Sequence, residues 1–131
     1  MSNLQGGGIM NINISLSALN SFSRTQEVIS NNVANVNTDG YNSKRVILEE
    51  APNDQGVRVQ QIREERNNVQ NAQNDKQPER NESNNNPVPQ NNVELEREFT
   101  DMIQNQNAYN ANAQVIKVQN DMTGELINKL V

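Results

Sequence analysis

Residues 93–131 read VELEREFTDMIQNQNAYNANAQVIKVQNDMTGELINKLV, and this stretch decides the fold. Leu95, Phe99, Met102, Gln106, Tyr109, Ala113, Ile116, Asn120, Thr123, Ile127 and Leu130 recur at alternating steps of four and three. That spacing puts them on one face of a helix. It predicts a long C-terminal helix over 93–131, whose 93–129 stretch alone would run about 55 Å. Asn91 followed by Glu94 resembles a capping box. Glu94, Glu96, Glu98 and Asp101 lie at the positive end of the helix dipole and Lys129 at the negative end. The stripe is interrupted by Gln106, Asn120 and Thr123. Polar seam residues can set register, or they can simply face water in a bent or frayed helix, which Gly124 favours.

Working outward, a second stripe lies near the N-terminus. Leu19, Phe22, Gln26, Ile29, Val33 and Val36 also alternate by three and four. They predict a helix over 15–36, about 33 Å long. It serves either as a coiled-coil-like pairing element for the C-terminal helix or as an ordinary amphipathic helix of a small bundle. Its end is dense in short amides, at Asn31, Asn32, Asn35 and Asn37. These amides compete with helical hydrogen bonding. They suit a compact loop or a neighbouring backbone, and equally a solvated helix end. Asp39-Gly40 is a turn signal, since Gly40 adopts positive φ without steric cost.

Between the helices, 45–49 (RVILE) and 57–62 (VRVQQI) alternate like short strands around Pro52-Asn53-Asp54-Gln55-Gly56. The 37–62 region therefore reads as a turn and two short strands. Residues 63–92 are nearly devoid of large apolar side chains and are punctuated by Pro78, Pro87 and Pro89. They read as an Asn-rich linker or loop. Residues 1–14, with Gly6-Gly7-Gly8, read as a flexible arm. The fold class that follows is mainly α: an antiparallel two-helix coiled coil of the terminal helices, with a hairpin-like and irregular middle.

Composition excludes several functions. The chain has 131 residues, 33% hydrophobic and 3% aromatic, so a thick self-contained core is not expected. Without cysteine or histidine there are no disulfides, thiolate nucleophiles, histidine triads or the usual zinc ligand sets. No phosphate-binding glycine loop or twelve-residue calcium loop is present. No catalytic residue, cofactor or metal is expected. The net charge of -5 opposes nucleic-acid binding. No apolar run reaches the ~20 residues of a membrane span, so direct membrane insertion is not expected. The N-terminal MSNLQGGGIMNINISLS lacks the basic and apolar regions of a cleaved secretory signal.

Two segments carry a resemblance. The first is Leu16-Ser17-Ala18-Leu19 with the run Gln26 to Tyr41, QEVISNNVANVNTDGY. The second is Asn92-Val93-Glu94-Leu95, Glu98 to Ile103 (EFTDMI), Gln106, Ala108-Tyr109, Ala111-Asn112-Ala113, Val115-Ile116 and Leu126-Ile127-Asn128. Together they resemble the bacterial flagellar rod, hook and basal-body axial family. The chain is most similar to a short proximal rod protein, while EFTDMIQNQNAYNANAQVI looks closer to hook and distal-rod members.

The resemblance implies terminal helices packed in the inner layer of a hollow, helically assembled shaft. It implies export without a cleaved signal through the flagellar type III apparatus. The implied partners are other copies and related rod, hook or basal-body subunits, at the periplasm-spanning rod. It implies subunit-contact or packing roles for Ile29, Asn31, Asn32, Asn35, Asn37, Gly40, Phe99, Ile103, Tyr109, Ala113 and Ile116, beside Leu19 and Phe22 of the helical stripe. The alternatives are a hook-associated or distal-rod component, or a soluble assembly or export chaperone.

Overall fold

The computed structural model describes residues 7–66 and 91–131, with side chains from residue 12 onward. Helix α1 (Gly7–Ala34) leads through a turn to strand β1 (Lys44–Glu50). A single 3-10 turn (Pro52–Asp54) connects it to strand β2 (Val57–Glu64), and helix α2 (Leu95–Leu130) follows. Asn32 meets Glu98, while Phe22 and Gln26 meet Asn105, so the helices run antiparallel. They have 28 and 36 residues, or about 42 and 54 Å. In this register the start of α1 lies level with about residue 122 of α2. The last two turns of α2 therefore have no α1 beside them.

Helix α1 begins at Gly7, not at residue 15, so residues 7–14 of the expected flexible arm are helical. Ile14, Ser17 and Ser21 are held under the tip of the hairpin. Once a helix is anchored, extending it costs only propagation, which outweighs the glycine penalty. The helix ends at Ala34, two residues before the expected 36. There Asn35 N–H donates to the carbonyls of Asn31 and Asn32, and Thr38 N–H donates to that of Asn35. Gly40, at φ 71°, completes the turn. Of the expected 63–92 linker, residues 63–64 belong to β2 and 91–92 to the helix junction; residues 67–90 lie outside the described residues.

The strands are antiparallel, with Lys44 opposite Glu64 and Glu50 opposite Val57. A bulge leaves Gln60 without a cross-strand partner, since Ile47 faces Gln61 and Leu48 faces Val59. An isolated two-stranded hairpin is marginal in water. Here α1 supplies side chains that act as substitute strands on both members. Asn32 occupies both the N–H and the carbonyl of Lys44. The Ser21 hydroxyl donates to the carbonyl of Val57 at 2.9 Å, and Val57 N–H donates to the Ser17 hydroxyl. The Ser17 hydroxyl also lies within hydrogen-bonding distance of the Gln55 carbonyl.

Gly56 makes this approach possible. At φ 97° it sits where an added Cβ would collide with the Ser17 hydroxyl and lie 2.9 Å from the Ile14 carbonyl. Gly56→Ala should therefore destabilise the fold by about 2–4 kcal/mol, combining overpacking with left-handed strain. Gly124→Ala, with nothing within 4 Å of the new Cβ, should instead stabilise by about 1 kcal/mol through helix propensity. Urea unfolding midpoints at unchanged slope test both.

Candidate functional site: an asparagine-braced helix junction

The four elements meet where α1 ends, β1 begins, β2 ends and α2 begins. Asn32 lies at the centre, with no exposed surface. Its Oδ1 accepts from Lys44 N–H at 2.9 Å and from the Tyr41 hydroxyl at 3.2 Å. Its Nδ2 donates to the Lys44 carbonyl at 2.8 Å and to Glu98 Oε2 at 3.1 Å. An amide offers two donors and two acceptor sites, and all four are used. One side chain thus ties the first helix, the turn, the hairpin and the second helix together.

Glu98 is equally buried. Its Oε1 lies 2.8 Å from an Arg45 guanidinium nitrogen. The approach is off the N–H axis, so this contact is an ion pair and not a directed hydrogen bond. Arg45 also reaches Asp101 at 2.8 Å and Glu65 at 3.2 Å. Arg97 lies 3.5 Å from Glu65. One guanidinium from β1 therefore holds two carboxylates of α2 and one at the end of the hairpin. Its planar fork suits this better than a lysine ammonium would.

Asn91 and Asn92 close the junction from the other side. Asn91 Nδ2 donates to the carbonyls of Asn35 at 2.6 Å and Thr38 at 2.8 Å, and its Oδ1 accepts from Val93 N–H. Asn92 Oδ1 accepts from Ser43 N–H at 2.6 Å, while its Nδ2 donates to the Glu65 carbonyl. Asn91 is thus not the helix cap its spacing with Glu94 suggests. The cap is Glu94, without a side-chain cap bond, because the Asn91 amide is engaged by the turn after α1. Ser43, fully buried, donates to Glu65 through its hydroxyl, and its carbonyl accepts from Glu65 N–H.

The expected site residues divide into three groups. Asn32 and Ile29 are buried within the chain, and Asn35 and Gly40 shape the turn. Leu19, Phe22, Ala113 and Ile116 are half-buried. Asn31, Asn37, Phe99, Ile103 and Tyr109 are exposed, the last three by 49%, 61% and 39%. Gln106, Asn120 and Thr123 face water.

The face that α2 turns inward is instead set by Glu98, Asn105, Asn112 and Gln119, each seven residues after the last; the first two are buried and the others half-buried. Asn105 donates to the Phe22 carbonyl at 2.9 Å and to Gln26 at 3.0 Å. The seam is therefore polar and lies about 65° from the centre of the apolar stripe. This heptad is visible in the sequence. The partner Arg45 is not, because nothing local marks it as meeting α2, and neither are the contacts that join Ser43 and Asn92 to Glu65.

Burial raises the Glu65 carboxyl, but the Arg45 hydrogen bond and charge, Arg97 and the Ser43 hydroxyl outweigh it and hold Glu65 below its ordinary 4.5. Burial, then the charges of Glu98 and Glu64, push the Tyr41 hydroxyl above 10.0.

Chemically, the arrangement is a brace. Among the described residues no group of three or more His, Cys, Asp or Glu could hold a metal ion, and the clustered carboxylates are occupied by arginine. No described helix is long and apolar enough to cross a membrane. The fold is a pair of antiparallel helices whose junction is braced by a central hairpin.

Residues 12–42 match the family described as flagella basal body rod protein, and residues 90–130 match the family described as flagellar basal body rod FlgEFG protein C-terminal. The two matches cover just over half of the chain, in order, and contain both helical sides of the junction. A search of curated proteins finds no match. The chain belongs to the flagellar basal-body rod and hook family, as a non-enzymatic structural subunit. That family membership places it with the basal-body rod and with other rod, hook or basal-body subunits as partners.

Asn32→Ala would leave Glu98 Oε2 and both backbone groups of Lys44 without their hydrogen-bond partner, and should cost about 3–5 kcal/mol in urea unfolding. Acid should act through Glu65. Its folded value lies below its unfolded one, so its contribution is complete above about pH 4.5 and is lost as pH falls through the lower folded value. The unfolding midpoint should fall across that acid window, and less steeply in Glu65→Gln.

Proposed function

We propose that this chain polymerises through its paired terminal helices to build the hollow axial shaft of the flagellar basal body, as a rod subunit. The observation that carries the reading is the inversion of α2. Its polar heptad is packed inside, while Leu95, Phe99, Ile103, Val115, Val118, Met122, Leu126 and Ile127 keep 37–61% of their surface exposed. Apolar surface of this extent marks an interaction site. The junction would set the angle between helices and hairpin, so that each copy presents the same surfaces. Exposed Asn31 and Asn37, together with Phe99, Ile103 and Tyr109, would contact neighbours, and Asn32 would act from within. Delivery would run through the flagellar type III export apparatus without a cleaved signal. The C-terminal family match also supports a distal-rod or hook-associated position as the second reading.

Basal bodies purified from cells making the full chain should contain it, and a chain ending after Asn92 should be missing from them. Replacing 70–87 by a short flexible turn should leave incorporation intact, because Asn92 already bonds to the Glu65 carbonyl across that segment. A full chain recovered only in a small soluble complex would instead support an assembly or export chaperone.

A further inference from the structure

An Asp or Asn followed by a residue with a small side chain can close on itself. The backbone nitrogen of the next residue attacks the side-chain carbonyl carbon, and a cyclic imide forms. With Gly or Ser next, the pairs in this chain are Asn20-Ser21, Asp39-Gly40 and Asn42-Ser43. The structure separates them. Asn20-Ser21 lies inside α1, where the backbone is fixed and Ser21 N–H is tied into the helix. Asn42 donates its amide to Glu64 at 2.8 Å, and the N–H of buried Ser43 donates to Asn92 Oδ1 at 2.6 Å. Asp39-Gly40 is the opposite case. Asp39 is exposed. Among the described residues no ion pair or hydrogen bond engages its carboxylate, and none engages Gly40 N–H, although the N–H groups of Thr38 and Tyr41 are both bonded. Gly40 has no Cβ to obstruct the approach.

We infer that Asp39-Gly40 is a site of spontaneous isomerisation to isoaspartate, and that the product releases the helix junction. The Gly40 nitrogen bonds to Asp39 Cγ. The Cγ–OH bond breaks, and the hydroxyl leaves with the amide proton as water. Water then adds to the main-chain carbonyl of the imide and breaks that carbon's bond to nitrogen. The chain thereafter runs through Asp39 Cβ and Cγ, and the former backbone carbonyl is a free carboxylate. One water leaves and one enters, so the step needs no oxidant, reductant or other reactant. The link is longer by one carbon–carbon bond, about 1.5 Å. Its position gives that change its effect. Asn91 holds the Thr38 carbonyl at 2.8 Å, and Tyr41 N–H reaches the same carbonyl at 3.2 Å. The Tyr41 hydroxyl lies 3.2 Å from Asn32 Oδ1, and the Tyr41 carbonyl accepts from Asn92 N–H at 3.4 Å. The lengthened link sits between these anchors, with only Asp39 and Gly40 to absorb it. Tyr41 then loses either its bond to Thr38 or its place against Asn32, and the brace loosens as the chain ages. This chemistry belongs to the single chain and is independent of polymerisation.

Ageing the full chain in heavy-oxygen water at neutral pH tests both halves. Imide hydrolysis leaves a heavy oxygen in the product, which tandem mass spectrometry of a protease digest assigns to a residue. Asp39 should gain label steadily while Asn20 and Asn42 keep their amides. An isoaspartate-specific carboxyl methyltransferase, used as a reagent, should methylate the same peptide. The aged chain should show a second urea transition at lower denaturant, with an amplitude that follows the labelled fraction. Asp39→Glu keeps the charge but would need a larger, slower-forming ring. It should take up no label and keep one transition after the same ageing. Label at Asp39 only when the chain is unfolded in urea would overturn the site. Loss of the Asn42 amide ahead of labelling at Asp39 would overturn the selection among the pairs. Label without the second transition, or a second transition in aged Asp39→Glu, would overturn the link to the junction.

Discussion

A single buried carboxamide holds the molecule to one geometry. Asn32 satisfies the backbone of Lys44 with one donor and one acceptor, then uses its remaining donor on Glu98 and its remaining acceptor on Tyr41. Displacing any of these elements leaves a polar group unpaired away from water, at a cost of the order of 1–3 kcal/mol each. The hairpin is held at Lys44 by Asn32 and at Val57 by Ser17 and Ser21. Its orientation is therefore a property of α1, and Arg45 carries that orientation on to α2.

The polar seam has an energetic logic. Pairing through Glu98 and Asn105 contributes less than an apolar seam would, since buried ion pairs and amides spend much of their attraction on desolvation. It does restrict the helices to registers in which Glu98 and Asn105 meet their partners on α1 and β1. It also leaves the larger apolar side chains of α2 on the outside. Family membership gives the chain other rod, hook or basal-body subunits as partners. The chain buries little of its apolar surface alone: Ala18, Val28 and Ile29 are its buried hydrophobic residues among those described.

The family matches and the brace coincide. The first match ends at residue 42 and the second begins at residue 90. Asn32, Asn35 and Tyr41 lie in the first, and Asn91, Asn92, Glu98 and Asp101 in the second. The amides that look in sequence like a loop decoration therefore join the two matched segments to each other. The ion cluster reaches beyond them to Arg45 and Glu65 in the hairpin.

By itself the sequence determined that two long helices and a short hairpin form. The three-and-four periodicity, the Asp39-Gly40 turn and the strand alternation are local signals, carried by each segment's own backbone preferences. The resemblance of the two ends also came from the sequence, as did the absence of histidine and cysteine chemistry. Tertiary structure decided which face of α2 points inward. Periodicity reports that a face exists, but two stripes one residue apart, apolar and polar, both satisfy it. The choice fell to the polar one because the Asn32 amide, the Phe22 carbonyl and Arg45 present partners there that no local pattern reveals. Tertiary structure likewise carried α1 back to Gly7, since the hairpin tip anchors Ser17 against a glycine-weakened start. It also turned Asn91 from a helix cap into a clamp on the preceding turn.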